Sequence, residues 1–275
     1  MQIGKRNFNL EKDIVVVGII NTTPDSFSGD GISGNIPKSI KIAKNYIDSG
    51  VGIIDIGGES TRPKNLYDDV MPISVQQEID LTIPVIEAIK NNFNIPISID
   101  TRNSEVATSA LIAGADMIND VSMLNHDPKM INIIKSTNKP YVLTHNKVIK
   151  SNLKVSEQVV NDLDLSVNFL LEAGIDKKRL ILDPGFGFGK NFEQNIELHQ
   201  NFEIINKIGL PIMVGTSRKS FLGKINLNKS ITVDKRNIES LASALISKIK
   251  GANFIRVHDV DSTCRLLNAI EKLNS

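Results

Sequence analysis

Asp100, Asn119 and Asp183 share a chemistry and a local setting. Each follows a short run rich in apolar residues: Pro96–Ile99, Asp116–Ile118 and Leu180–Leu182. Two carboxylates supply acceptors, and an amide both accepts and donates. That set complements a flat, nitrogen-rich heterocycle that displays N–H and amino donors. A second group has the opposite character. Arg256 and His258, from the run Phe254–Val257, are two residues apart and so lie on one face of a strand. A guanidinium and an imidazole suit a phosphate or diphosphate. Asn21 follows Ile14–Ile20, and an amide oxygen beside phosphate oxygens suits Mg2+, which takes oxygen ligands and substrate phosphates. Lys219, in Gly215-Thr216-Ser217-Arg218-Lys219-Ser220 after Pro211–Val214, stands between the two groups. The runs Ile53–Ile56 and Tyr141–Leu143 also end in polar residues, Gly57-Gly58-Glu59-Ser60-Thr61-Arg62-Pro63 and Thr144-His145-Asn146. One Asp or Asn after a strand ordinarily makes a turn or caps the next helix. A polar ending on every run is different, because burying that many polar groups on one rim without a ligand is costly.

Convergence on one rim is a property of the elements. Between the eight runs lie helix-patterned stretches: Lys38–Ser49, Val75–Asn91, Glu105–Ala113, Pro128–Ser136, Ser156–Glu172, Glu193–Asn206, Asn237–Lys248 and Ser262–Leu273. Regular β-then-α alternation predicts parallel strands joined by right-handed crossovers. The average of about 34 residues per unit is that of one βα unit, and eight of them close a (β/α)8 TIM barrel with its active site at the C-terminal ends of the strands. One α/β domain over 1–275 is predicted, with a barrel core at about 14–273. An open doubly wound sheet would carry a glycine-rich phosphate turn after its first strand; here the first run leads into Asn21-Thr22-Thr23-Pro24. The loop Gly185-Phe186-Gly187-Phe188-Gly189 lacks the fold position and the later acidic residue of a dinucleotide fingerprint. Gly50, Gly114, Gly174 and Gly251 stand where a helix ends and a strand begins, as left-handed caps do. The loop from Thr23 to Gly31, polar with turn-formers near its tip, has the pattern of an ordinary flexible surface loop or of a lid.

Composition narrows the class further. Lys+Arg number 32 against 31 Asp+Glu, a net charge of +1, which points away from nucleic-acid and membrane surfaces as partners. No apolar run reaches the ~18 residues of a membrane span, and the residues after Met1-Gln2-Ile3-Gly4-Lys5-Arg6 do not read as a secretory signal. A cytoplasmic protein is expected. Cys264 is the single cysteine, so neither an internal disulfide nor a cysteine zinc cluster can form. The absence of tryptophan weighs against a carbohydrate-stacking site.

The motifs, taken in order, resemble those of the dihydropteroate synthase family of pterin-binding barrels. Gly18-Ile19-Ile20-Asn21-Thr22-Thr23-Pro24-Asp25-Ser26-Phe27-Ser28 is similar to its first signature and Asp55-Ile56-Gly57-Gly58-Glu59-Ser60-Thr61-Arg62-Pro63 to its second. Ser98-Ile99-Asp100-Thr101, Asn119-Asp120-Val121-Ser122, Leu182-Asp183-Pro184-Gly185-Phe186-Gly187-Phe188-Gly189-Lys190, Ser217-Arg218-Lys219-Ser220 and Arg256-Val257-His258 follow in the family's order. The resemblance implies condensation of 4-aminobenzoate with 6-hydroxymethyl-7,8-dihydropterin diphosphate to 7,8-dihydropteroate and pyrophosphate, a step of folate synthesis. By motif, Asp100, Asn119, Asp183 and Lys219 would hold the pterin, with Thr61, Arg256 and His258 at the diphosphate. Asn21 would meet Mg2+, and Thr61, Arg62, Pro63, Phe188 and Ser220 would frame the aminobenzoate. Lys219, Arg256, His258 and Asp100 are the implied catalytic groups. A homodimer through the last two helices and sensitivity to sulfonamides are implied as well. Leu241, Ala242, Ala244, Leu245 and Ile246, then Leu266, Leu267 and Ile270, give those helices more apolar residues than one barrel-facing stripe needs. Two places depart from the pattern: Ser28-Gly29-Asp30-Gly31, where the Asp usually follows the Ser directly, and Thr144, where a Met commonly precedes the His. The alternatives are a pterin-binding methyltransferase domain of the corrinoid-dependent type and a non-enzymatic pterin-binding protein. The former has no use for a diphosphate grip, and the latter releases no pyrophosphate.

Overall fold

The computed structural model describes residues 1–23, 35–59, 73–150, 154–225 and 231–274. A two-strand antiparallel hairpin, β1 (Gln2–Ile3) and β2 (Arg6–Asn7), comes first. Eight strand-helix units follow: β3 (Val15–Asn21) and α1 (Ile36–Asp48), β4 (Ile53–Gly57) and α2 (Val75–Asn92), β5 (Ile97–Asp100) and α3 (Ser104–Ile112), β6 (Met117–Asp120) and α4 (Met130–Ser136). Then come β7 (Tyr141–Thr144) and α5 (Val155–Glu172), β8 (Leu180–Asp183) and α6 (Phe192–Asn201), β9 (Met213–Val214) and α7 (Asn237–Ile249), β10 (Phe254–Val257) and α8 (Val260–Asn274). The eight strands pair in parallel in the order β8-β7-β6-β5-β4-β3-β10-β9. A single parallel bridge, Leu182 to Ile212, brings β8 alongside β9 and nearly closes the ring. The expected (β/α)8 barrel is what the chain forms.

Strand alternation divides the core in two. Val15, Val17, Ile53, Met117, Val142, Ile181, Met213 and Phe254 pack together inside the barrel, joined by Ile3 from the hairpin. The intervening residues, among them Ile54, Ile56, Ile97, Ile99, Leu143 and Leu182, face outward and pack with the buried faces of the helices. A slip of one residue would exchange these two sets, so register is strongly fixed. The hairpin was not anticipated. Its two-residue strands carry no periodicity, yet it seals the N-terminal end of the barrel with Ile3 fully buried. The helix expected over 193–206 is also divided: α6 stops at Asn201 and a 3-10 segment covers Phe202–Ile208. Phe202 and Ile205, three apart, are both buried, and a three-residue turn stacks such a pair on one side. All four helix-end glycines take positive φ, from +87° to +108°.

Candidate active site

With Val17 and Ile53 pointing inward, alternation carries Asn21 on β3, Asp55 on β4, Ser98 and Asp100 on β5, and Asn119 on β6 to the inner face. Thr144 on β7, Asp183 on β8 and Arg256 on β10 join them. These positions lie toward the C-terminal ends of the strands, so a polar cup sits above the apolar plug. Asp55, Asn119 and Asp183 are 0, 1 and 6% exposed. The half-buried Arg256 ties the cup together: Nε donates to Asp55 Oδ2 at 2.6 Å, and a terminal nitrogen donates to Asp100 Oδ2. Asn119 Nδ2 donates to the same Asp55 oxygen at 3.2 Å. Asp183 Oδ1 accepts from the Gly185 backbone N–H at 2.7 Å.

These bonds leave a remainder. Asp55 Oδ1, Ser98 Oγ, Asp100 Oδ1, Asn119 Oδ1 and Thr144 Oγ1 are buried without a hydrogen-bond partner among the described residues. Buried polar atoms are rarely left unmet, and five in one cup fit a ligand that brings its own donors. The effect of burial on the ionisable groups fits a closed, charged interior. Burial pushes the Asp100 carboxyl up to about 7, with Arg256 opposing and the Asp55 charge adding to the rise. Burial likewise raises Asp183, against the pull of Lys219. Burial lowers Lys219 to about 8 although Asp183 favours its charge. Burial also works against charge on Arg256, but the two carboxylates beside it keep it firmly protonated.

Lys219 lies at the mouth, donating to the Phe186 carbonyl with its ammonium 4.3 Å from the Phe188 ring centre. The residue before it, Arg218, has a left-handed backbone, φ +60°. The Arg218 N–H donates to Ser240 Oγ at 3.0 Å and its carbonyl accepts from Arg236 at 2.9 Å. His258 lies beside Ser217, whose hydroxyl is 3.2 Å from the backbone N and 3.1 Å from Nδ1. Phe188 and Ser220 are half-buried at the rim. Asp120, adjacent to Asn119, faces outward and serves structure, accepting from Tyr141 Oη, the Ser122 hydroxyl and two backbone N–H groups. Thr61, Arg62, Pro63 and the loop residues after Thr23 lie outside the described residues.

The half-buried Asn21 shares the inner face of β3 and is aligned with Gly57. Its side chain makes no hydrogen bond to a described residue. Among the described residues no group of three or more His, Cys, Asp or Glu could hold a metal ion. One neutral oxygen is a poor cage for Zn2+ but fits Mg2+, which keeps waters and relies on substrate phosphates.

Sequence reasoning did not place Asp55 among the ligands. Its signal was present: a carboxylate two residues after the inward Ile53, inside an apolar strand. It also missed Ser217 as the partner of His258. A separate basic depression of about 570 Å3 opens at the other end of the barrel, lined in part by Lys5, Arg6, Lys90, Asp116 and Lys139. Its carboxylate is already met, by Lys90 at 2.7 Å and the Ile97 N–H at 3.1 Å.

Residues 17–258 match a family described as pterin binding enzyme. The dihydropteroate synthase of Clostridium beijerinckii is 42% identical over 261 residues, 94% of either chain. Among solved structures, Xanthomonas albilineans dihydropteroate synthase with 4-aminobenzoic acid superposes with a TM-score of 0.87 at 33% identity, covering 96% of this chain and 94% of that one. Yersinia pestis dihydropteroate synthase in complex with a sulfonamide drug gives 0.90 at 33% identity, covering 100% and 98%.

Proposed function

The chain belongs to the pterin-binding enzyme family, within it to the dihydropteroate synthases, and on that premise we propose which of its residues perform each part of the reaction. The enzyme is a transferase that joins 4-aminobenzoate to 6-hydroxymethyl-7,8-dihydropterin diphosphate, giving 7,8-dihydropteroate and pyrophosphate. One observation carries the assignment: the unmet oxygens of Asp55, Asp100 and Asn119 converge on one buried cup. A dihydropterin ring offers amino and N–H donors to those acceptors and to Asp183. Asn119 can also donate to a ring acceptor by releasing Asp55.

Bond making is one substitution at the exocyclic methylene. The carbon–oxygen bond to the diphosphate breaks, the carbon–nitrogen bond to the arylamine forms, and the amine proton leaves to water. The electron-rich pterin spreads the positive charge that develops on the methylene. Asp100 and Asp183 stabilise that charge, Lys219 holds the pterin, and Arg256 and His258 stabilise the departing anion. Asn21 would hold Mg2+ through its amide oxygen, and the ion when bound supplies further positive charge to the diphosphate. Phe188 and Ser220 line the aminobenzoate side, to which Thr61, Arg62 and Pro63 are assigned by motif alone. An arylamine is nucleophilic without a general base, so orientation is the main requirement.

The same reading includes a homodimer and a cytoplasmic location. On α7, Ile238, Ala242, Ile246 and Ile249 form an exposed apolar stripe, with Ile238 and Ile249 at 78 and 74% exposure. No helix among the described residues is long and apolar enough to cross a membrane. The test of the reaction is pyrophosphate release with both substrates and with each withheld. Release only when both are present is expected; tight pterin binding without release would identify a carrier.

A further inference from the structure

The loop Gly185–Gly189 leans on a lysine that the reaction as described does not use. Lys190 Nζ lies 2.9 Å from His145 Nδ1, 3.0 Å from the Gly185 carbonyl and 3.1 Å from the Phe188 carbonyl. An ammonium has three hydrogens and no acceptor, so these three partners use all of it. His145 Nδ1 accepts only when the ring proton is on Nε2, and Nε2 faces Asp162 Oδ2 at 3.2 Å. Asp162 also accepts from Gln158 at 3.2 Å and Lys147 at 3.1 Å. Burial, with the charge of Lys190 adding to it, lowers His145 to about 4, so the ring is neutral at physiological pH. The same histidine braces the loop through its backbone. A Cβ on Gly185, φ +70°, would stand 1.8 Å from the His145 carbonyl oxygen. The loop is thus gripped from two sides, by Lys190 below and by Lys219 over the Phe188 ring.

We propose that Lys190 is a positioning residue for the aminobenzoate pocket: its three N–H bonds latch the Gly185–Gly189 loop onto His145 and so fix the Phe188 ring where the arylamine arrives. This rests on the reading that Phe188 frames the aminobenzoate. The latch has a pH dependence of known sign. Burial, then the neighbouring charge of Lys219, lowers Lys190 to about 7, with Asp183 and Asp162 opposing; His145 is neutral, and Lys147 is paired to Asp162 at 3.1 Å. The free amine has two hydrogens, so one of the three acceptors loses its donor as pH rises. Asp100 titrates nearby at about 7 in the pterin half, and Lys219, at about 8, also touches the Phe188 ring, so only a change in KM centred near 7 and lost in Lys190→Met is read as the latch. Pterin affinity is therefore measured separately.

The experiment compares the wild-type enzyme with Lys190→Met and Phe188→Ala. It follows pyrophosphate release from about pH 6 to about pH 8.5, above the range of the aminobenzoate carboxyl, and pterin diphosphate affinity by calorimetry. The wild-type KM for aminobenzoate should rise as pH passes about 7. Lys190→Met should raise that KM about tenfold at the acid end and flatten its pH dependence, leaving kcat and pterin affinity within about twofold. The proposal is overturned if KM and its profile are unchanged in Lys190→Met while Phe188→Ala raises KM, or if kcat falls with KM unmoved. An aminobenzoate KM untouched in Phe188→Ala removes instead the reading beneath it, and the latch with it. Should Lys190→Met not fold, Lys190→Gln takes its place, and an aminobenzoate KM equal to that of the wild type rejects the latch.

Discussion

Asp183 has one oxygen committed to the Gly185 N–H, and that commitment decides what a conservative change does. In Asp183→Asn the amide oxygen would keep the backbone bond and the NH2 would face the cup, a donor opposed to the pterin's donors. The same holds at Asp100→Asn, where the Arg256 bond claims the remaining oxygen. Each change should cost about 1–3 kcal/mol of pterin affinity with the fold retained, as calorimetry and circular dichroism would show. Unchanged affinity in both would remove these residues from the pterin site. Asp100, Asn119 and Asp183 were legible in the sequence because each stands just past an apolar run. Asp55 was obscured because it lies within one, and only the inward–outward alternation distinguishes it from its outward neighbours Ile54 and Ile56. The pairing of Arg256 with Asp55 crosses 201 residues, so no local pattern could show that this cation belongs to both halves of the cup.

Elements of regular period were the most readable. Eight strands and eight helices stand where the alternation put them, because a continuous apolar run flanked by amphipathic stretches has few other uses. Short elements escaped: the β1–β2 hairpin and the 3-10 segment after α6 owe their form to what they pack against. α7 faces two ways. Ser240, Ser243, Ala244 and Ser247 are buried, while Ile238, Ile246 and Ile249 remain outside. If that stripe is the dimer face, Ile246→Lys with Ile249→Glu should convert the dimer to a monomer of 30.2 kDa without unfolding it. Sedimentation velocity at micromolar concentration is the check. A wild-type protein that already sediments as a monomer would refute the dimer.

At the scale of the whole molecule, stability and chemistry occupy opposite ends. Ile3 completes the apolar plug beneath the cup without touching any proposed ligand. Ile3→Ala should therefore lower the unfolding free energy by about 2–4 kcal/mol, seen as a lower denaturant midpoint, while kcat stays near the wild-type value. A large fall in kcat at unchanged stability would show that the two ends are coupled. The plug also settles a matter of traffic. A barrel stopped at one end is a vessel with a single mouth, and Asp55, Asn119 and Asp183 lie in its depths while Phe188 and Ser220 stand at its lip. A passenger bound for the depths has to board before anyone takes a seat at the lip. The pterin is therefore expected to enter ahead of the arylamine and the joined product to leave by the same mouth, an order that product-inhibition kinetics checks.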